Sequence, residues 1–298
     1  MESITSGSEI IHIEGLKYLK GEIIGTVAPT SSICRKDSSP VPVTVIELTD
    51  VTSFDPAIIR DISKTRLKHF FCKDDVFHNS FAQHLLLKTS PDAEHSWKRV
   101  QTDLETLNFQ SDLPREGPYL LIGTALHRVF KLYPDTYNAF MYGILQSGHP
   151  PSFKKSPVGG YIPVPSRLYY EQCADRPLAG KHIAIKDIYD IQGLVTGASS
   201  QAYAKSGNPA GTTAPCIQTL LDLGAVIIGK VKTVQFASGM SAGDWTETVC
   251  PTNPRGDQYL DPNCSSSGSA VSVAGYEWLD YAIGSDSEEA TSPPGSSD

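Results

Sequence analysis

Thr212–Lys230 reads TTAPCIQTLLDLGAVIIGK. Its first half predicts a helix, with Thr212 or Thr213 as N-cap, Pro215 in the first turn and Gly224 as the stop. Its second half, AVIIGK, is a β-branched run without polar alternation, which predicts a strand buried on both faces. Upstream, GKHIAIKD (Gly180–Asp187) is a second apolar run, ending at Lys186. Strand, helix and strand in that order predict a βαβ unit and a parallel or mixed sheet. The expected fold class is α/β: an N-terminal α+β domain followed by an incomplete α/β/α domain with a mixed sheet.

Outward from this stretch the texture changes. EIIHIEG, GEIIGTVAP and VPVTVIELTDV, around residues 10–60, are short β-branched runs broken by Gly, Pro and Ser, and predict strands. Residues 64–110 are more polar and helical in pattern, with FHNSFAQHLLLKT (Phe77–Thr89) the best amphipathic helix candidate. Gly117–Leu145 predicts a strand that gives way to one or two helices, with Pro134 as a break. Residues 151–167 lie in a Pro-, Gly-, Ser- and Lys-rich stretch and are expected as a linker between an N-terminal domain (1–150) and a second domain (168–287). After Lys230, TVQFASGM predicts a helix start, GSAVSVAGYEW a small-residue helix and LDYAIGSD a buried strand. Residues 288–298 carry no apolar anchor and are expected as a disordered tail.

The 298 residues carry 33 acids against 25 bases, a formal net charge of −8. That balance argues against a nucleic-acid or membrane-surface partner, which selects a basic face. No run approaches the ~20 apolar residues of a membrane span, and the N-terminus lacks the basic, apolar and small-residue order of a signal peptide. A cytoplasmic location is expected. The six cysteines (Cys34, Cys72, Cys173, Cys216, Cys250, Cys264) form no metal-ligand spacing and are expected as reduced thiols. His78 and His84 lie six apart, on different parts of a helix surface, so a shared metal is not expected. No metal or cofactor is called for.

The chemistry rests on an ordered set. Lys186 ends one apolar strand, GAVIIGK follows, then CSSSGSAVSVAG (Cys264–Gly275), then GSDS (Gly284–Ser287). Taken alone, the serine cluster reads equally as a loop or helix start, and Lys186 as a solvated strand-end lysine. Together, in this order, they resemble the amidase signature family over Arg176–Ser287, with Asn263 and Cys264 where the family has glycines. The resemblance implies a Ser–cis-Ser–Lys triad acting on a small carboxamide. Lys186 matches the lysine base. Ser265 matches the bridging serine, and Ser266 is the alternative one residue on. A lysine of ordinary pKa about 10.4 serves as a base only when burial lowers it, and a strand end among Ile183, Ile185 and Ile188 offers that.

The resemblance also exposes a departure. In the family, GSDS is followed by Gly-Gly-Ser, whose serine is the nucleophile and whose backbone N–H groups stabilise the oxyanion. Here Glu288, Glu289 and Ala290 follow, Ser292 stands at the family's arginine position, and the family's long continuation is absent. A one-base shift of GGA-GGA-AGC to GAG-GAA-GC converts Gly-Gly-Ser to Glu-Glu-Ala, so a frame change or mis-splicing near Ser287 would account for the break. The chain is therefore expected to be inactive as it stands.

The N-terminal region resembles the extension of certain fungal amidase-like proteins, some of them scytalone dehydratase-like members of polyketide pigment (melanin-type) clusters. That resemblance implies a secondary-metabolism role on a polyketide-derived substrate. His78, His84, Asp74, Asp75 and Tyr119 are the polar groups available there, each expected to be structural or solvated. A non-catalytic binding protein is the third reading.

Overall fold

The computed structural model describes residues 10–27, 33, 37–48, 55–88, 105–107, 114–148, 150–238, 245, 247–256, 260–262 and 264–286. The chain divides into two compact units, Met1–Leu132 with Val164–Cys173, and Tyr133–Pro163 with Ala174–Asp298. It is a mixed α/β protein with one mixed sheet in each.

The first unit holds β1 (Ile10–Ile13), β2 (Leu16–Thr26), β3 (Val41–Glu47), α1 (Pro56–Lys73), β4 (Leu85–Lys88), β5 (Glu105–Leu107), β6 (Gly117–Ile122) and β7 (Ala125–Pro134). Their order across the sheet is β1-β2-β7-β6-β3-β4-β5. Pairing is antiparallel from β1 to β3 and parallel from β3 to β5. Val41, Val43 and Val45 on alternate positions of β3 meet Leu86, Tyr119, Leu121 and Leu126 in one buried cluster. Period-two alternation delivers one face of each strand to that core.

Here the structure departs from several expectations. A helix begins well before residue 64, because Asp55 caps it: its carboxylate accepts from the Ala57 N–H, and Pro56 occupies the first turn. Phe77–Thr89 does not form an amphipathic helix. It makes a 3-10 turn at Asn79–Gln83 and then β4, whose Leu86 and Leu87 are buried. Pairing with β3 outweighs the local helical pattern. Gly117–Leu145 forms strands β6, β7 and the start of β8 and no helix, with Gly123 at φ +59 turning β6 into β7.

The second unit holds β8 (Phe140–Ser147), β9 (Ser152–Lys155), the start of β10 (Tyr161–Pro165), β11 (His182–Lys186), α2 (Gln201–Ser206), α3 (Pro215–Asp222), β12 (Val226–Val231), α4 (Ser267–Gly275) and β13 (Tyr281–Ile283). The sheet order is β13-β11-β12-β8-β9. β11 runs parallel to both β12 and β13, while β8 is antiparallel to β12. Residues 151–167, expected as a linker, carry β9 and β10 instead. SFKK pairs with β8 and YIPVP with β7, and Pro163 packs against Gly143 where a Cβ would meet it at 2.4 Å.

β11, α3 and β12 form the expected strand–helix–strand. The N-cap is Ala214 rather than a threonine, since the Thr213 hydroxyl accepts from the Gln192 N–H at 3.0 Å. Gly224 ends the helix at φ +94. Ile183, Ile185, Ile217 and Ile227 form the buried cluster between them. TVQFASGM yields only a 3-10 turn at Gln235–Ala237, with Phe236 at φ +56 inside it. β13 is three residues long, with Tyr281 49% exposed, where a buried strand was expected. The expected tail at 288–298 lies outside the described residues.

Candidate active site

Lys186 is the last residue of β11, at the carboxyl end of parallel strands where open α/β sheets place their sites. It is fully buried. Its Nζ lies 2.8 Å from each of three hydroxyls, Ser265 Oγ, Ser266 Oγ and Ser285 Oγ. Burial pushes the Lys186 amine below the ordinary lysine value, against the opposing pull of Asp286.

The serines arrive from two elements. Ser265 and Ser266 immediately precede α4, and the Cys264–Ser265 peptide bond is cis. Ser285 follows β13 by two residues. The Ser266 hydroxyl donates to the Ser285 carbonyl at 3.0 Å and accepts from the Ser285 N–H at 3.1 Å, which ties the two segments together. α4 is docked through the Gly268 N–H, which donates to the Lys232 carbonyl at 2.9 Å. A Cβ at Gly268 would stand 2.4 Å from Lys232 N and 2.6 Å from Ala139 O, so the approach requires glycine.

On the other side of β11, Asp187 and Lys230 form a buried ion pair at 3.5 Å. Burial pushes the Lys230 amine down and the Asp187 carboxyl up, each opposed by its partner's charge. A third buried amine, Lys232, donates to the Val249 carbonyl at 2.9 Å and is pushed by burial to about 8.

The structure thus brings Lys186, Ser265 and Ser266 together. Ser285 was missed as a lysine partner, although the Gly284–Asp286 motif containing it was visible in the sequence. Ala290, Glu288 and Glu289 lie outside the described residues. In the first unit the polar candidates do not converge. Asp74 accepts from the Phe77 N–H, the Ser166 hydroxyl and the Arg167 N–H, while Asp75 pairs with Arg167 at 2.7 Å. The buried Tyr119 hydroxyl donates to the Arg115 carbonyl. His78 lies 3.5 Å from Glu14, and His84 ends the 3-10 turn before β4. Among the described residues no three His, Cys, Asp or Glu side chains gather as a metal site, and Cys72, Cys173, Cys216 and Cys250 are free thiols.

A buried lysine thus stands among serine hydroxyls at the end of a parallel strand in this unit. Residues 167–290 match the family model described as Amidase, and that stretch is an amidase-family domain. Amidase 1 of Oryza sativa subsp. japonica is 39% identical over 110 residues, 37% of this chain and 25% of the relative. Amidase 1 of Arabidopsis thaliana is 35% identical over 119 residues, 40% of this chain and 27% of the relative. An amidase family protein of Bacillus anthracis aligns in structure with a TM-score of 0.32 and 25% identity, over 37% of this chain and 23% of that one. The chain spans between 19% and 30% of the length of the curated relatives it matches. The family match begins at residue 167, so it lends nothing to the dehydratase-like reading of the N-terminal region.

Proposed function

We propose that the second unit carries the lysine and bridging-serine part of a Ser–cis-Ser–Lys amidohydrolase for a small carboxamide, and that the chain as it stands does not turn over. The observation that carries the first half is the 2.8 Å contact between Lys186 Nζ and Ser265 Oγ within a buried setting. In this reading a neutral Lys186 amine takes the Ser265 hydroxyl proton, and Ser265 takes the proton of an attacking hydroxyl. That hydroxyl adds to the amide carbonyl. Collapse of the tetrahedral intermediate expels the amine, with the proton returned through the same serine.

The second half rests on sequence. Ala290 occupies the position of the attacking serine, and Glu288 and Glu289 replace the glycines whose N–H groups would face the oxyanion. Loss of a nucleophile costs on the order of a millionfold in turnover, and lost oxyanion donors add to it. The purified chain is expected to release no product from an aryl amide or aryl ester above the buffer rate. Hydrolysis that disappears in Lys186→Ala would overturn the claim of inactivity while supporting the lysine's role.

A further inference from the structure

We infer that Thr233, Ser199 and the buried Asp187–Lys230 pair form a positioning network that holds Ser265 against Lys186 from the far side of β11. The inference rests on the reading of Lys186 and Ser265 given above. Ile185 is in register with Lys230, and Lys186 with Val231. Alternation then puts Lys186 on one face of the sheet and Lys230 on the other. Asp187, one residue past the strand, reaches Lys230 on that far face.

From this pair a continuous path leads back to the serine. The Asp187 carboxylate accepts from the Ser199 N–H at 3.1 Å and the Gly197 N–H at 3.4 Å. Lys230 also donates to the Tyr189 carbonyl and the Thr196 hydroxyl. The Ser199 hydroxyl accepts from the Thr233 N–H at 2.9 Å, and the Thr233 hydroxyl donates to the Ser265 carbonyl at 2.9 Å. The Val234 N–H donates to that same carbonyl at 3.1 Å.

Three features separate this path from ordinary packing. Asp187, Lys230, Ser199 and Thr233 are all at least 98% buried, so none serves solubility. Ala198 and Ser199 are held consecutively at φ +47 and +57, a conformation that non-glycine residues keep only where the surroundings fix it. The path ends on the peptide group of the one residue whose hydroxyl must stay in line with the lysine. Pairing Asp187 with Lys230 also keeps an unbalanced charge away from the site. The charged groups around Lys186 are Asp286, beyond β13, and, across the strand, Asp187 and Lys230 with Asp190 beside them. α4 brings hydroxyls and no charge.

The test follows the Lys186 side chain and needs no turnover. In the 298-residue chain labelled with carbon-13 lysine, the Lys186 Cε resonance is assigned by its loss in Lys186→Met and titrated. Thr233→Val removes the hydroxyl that fixes Ser265, so the ammonium loses an acceptor. The midpoint is expected to fall by about half a pH unit or more, and Thr233→Ser to restore it. Ser199→Ala, which removes the acceptor of the Thr233 N–H, moves it the same way and serves should Thr233→Val not fold. A depressed midpoint in the parent chain that neither folded variant moves would overturn the network alone. A parent midpoint at the ordinary lysine value would overturn the underlying reading of Lys186.

Discussion

Asp74 is a buried acid whose protonation is linked to stability. Its carboxylate is occupied by the Phe77 N–H, the Ser166 hydroxyl and the Arg167 N–H, and burial raises it from 3.8 to about 6. Between those values the folded chain holds a proton that the unfolded chain has released. Stability of the first unit therefore falls as pH rises through that window and levels off above it. Asp74→Asn is expected to remove this slope in urea titrations run at successive pH values. Gly268 makes a different demand, because any Cβ there overlaps the Lys232 and Ala139 backbone. Gly268→Ala is expected to cost about 3 kcal/mol, read as a lowered melting temperature of the second unit. At this scale Lys186, Ser265 and Ser266 were legible because three motifs occur in a fixed order. Ser285, Ser199 and Thr233 were not. Hydroxyl residues are common, and their contacts cross 99, 34 and 32 positions of sequence.

Among the elements, β11 and β12 are anchored by Ile183, Ile185 and Ile227, which α3 covers through Ile217. Ile185 is fully buried one residue before the lysine. Ile185→Ala is expected to cost about 2–5 kcal/mol, seen as an earlier denaturant midpoint with unchanged slope. These strands were readable because β-branched runs bounded by Gly leave few alternatives. β7 and β8 were harder. Their Leu, Phe and Tyr positions also fit a helix, and only pairing with neighbours distant in sequence decides the matter. α1 was missed because its charged residues, Arg60, Asp61, Lys64, Arg66 and Lys68, dilute the apolar stripe. The Asp55–Pro56 start was the signal available for it.

The whole molecule is interleaved. The chain passes between its two units three times, at 132/133, 163/164 and 173/174. A cut at residue 168, where the sequence suggested a boundary, removes β8 from the sheet that carries Lys186. It also removes Ala139, whose carbonyl accepts from the Lys232 N–H, and Asp135, which accepts from the Tyr276 hydroxyl. Tyr133 and Phe140, stacked on Trp278, go with them. A fragment of residues 168–298 is expected to show no cooperative near-ultraviolet melt, whereas residues 133–298 are expected to show one. A cooperative transition in the shorter fragment would mean that β8 is dispensable to the second sheet.

The contacts around Lys186 also carry a count of protons. An ammonium has three N–H bonds to give, and three serine oxygens take them. When the amine is neutral one of those bonds becomes a lone pair, and one hydroxyl must swing round to donate to it. Ser266 is not free to do so, since its own proton is directed to the Ser285 carbonyl. In the mechanism proposed above, the direction of this single O–H bond favours Ser265 over its neighbour as the hydroxyl that serves the amine.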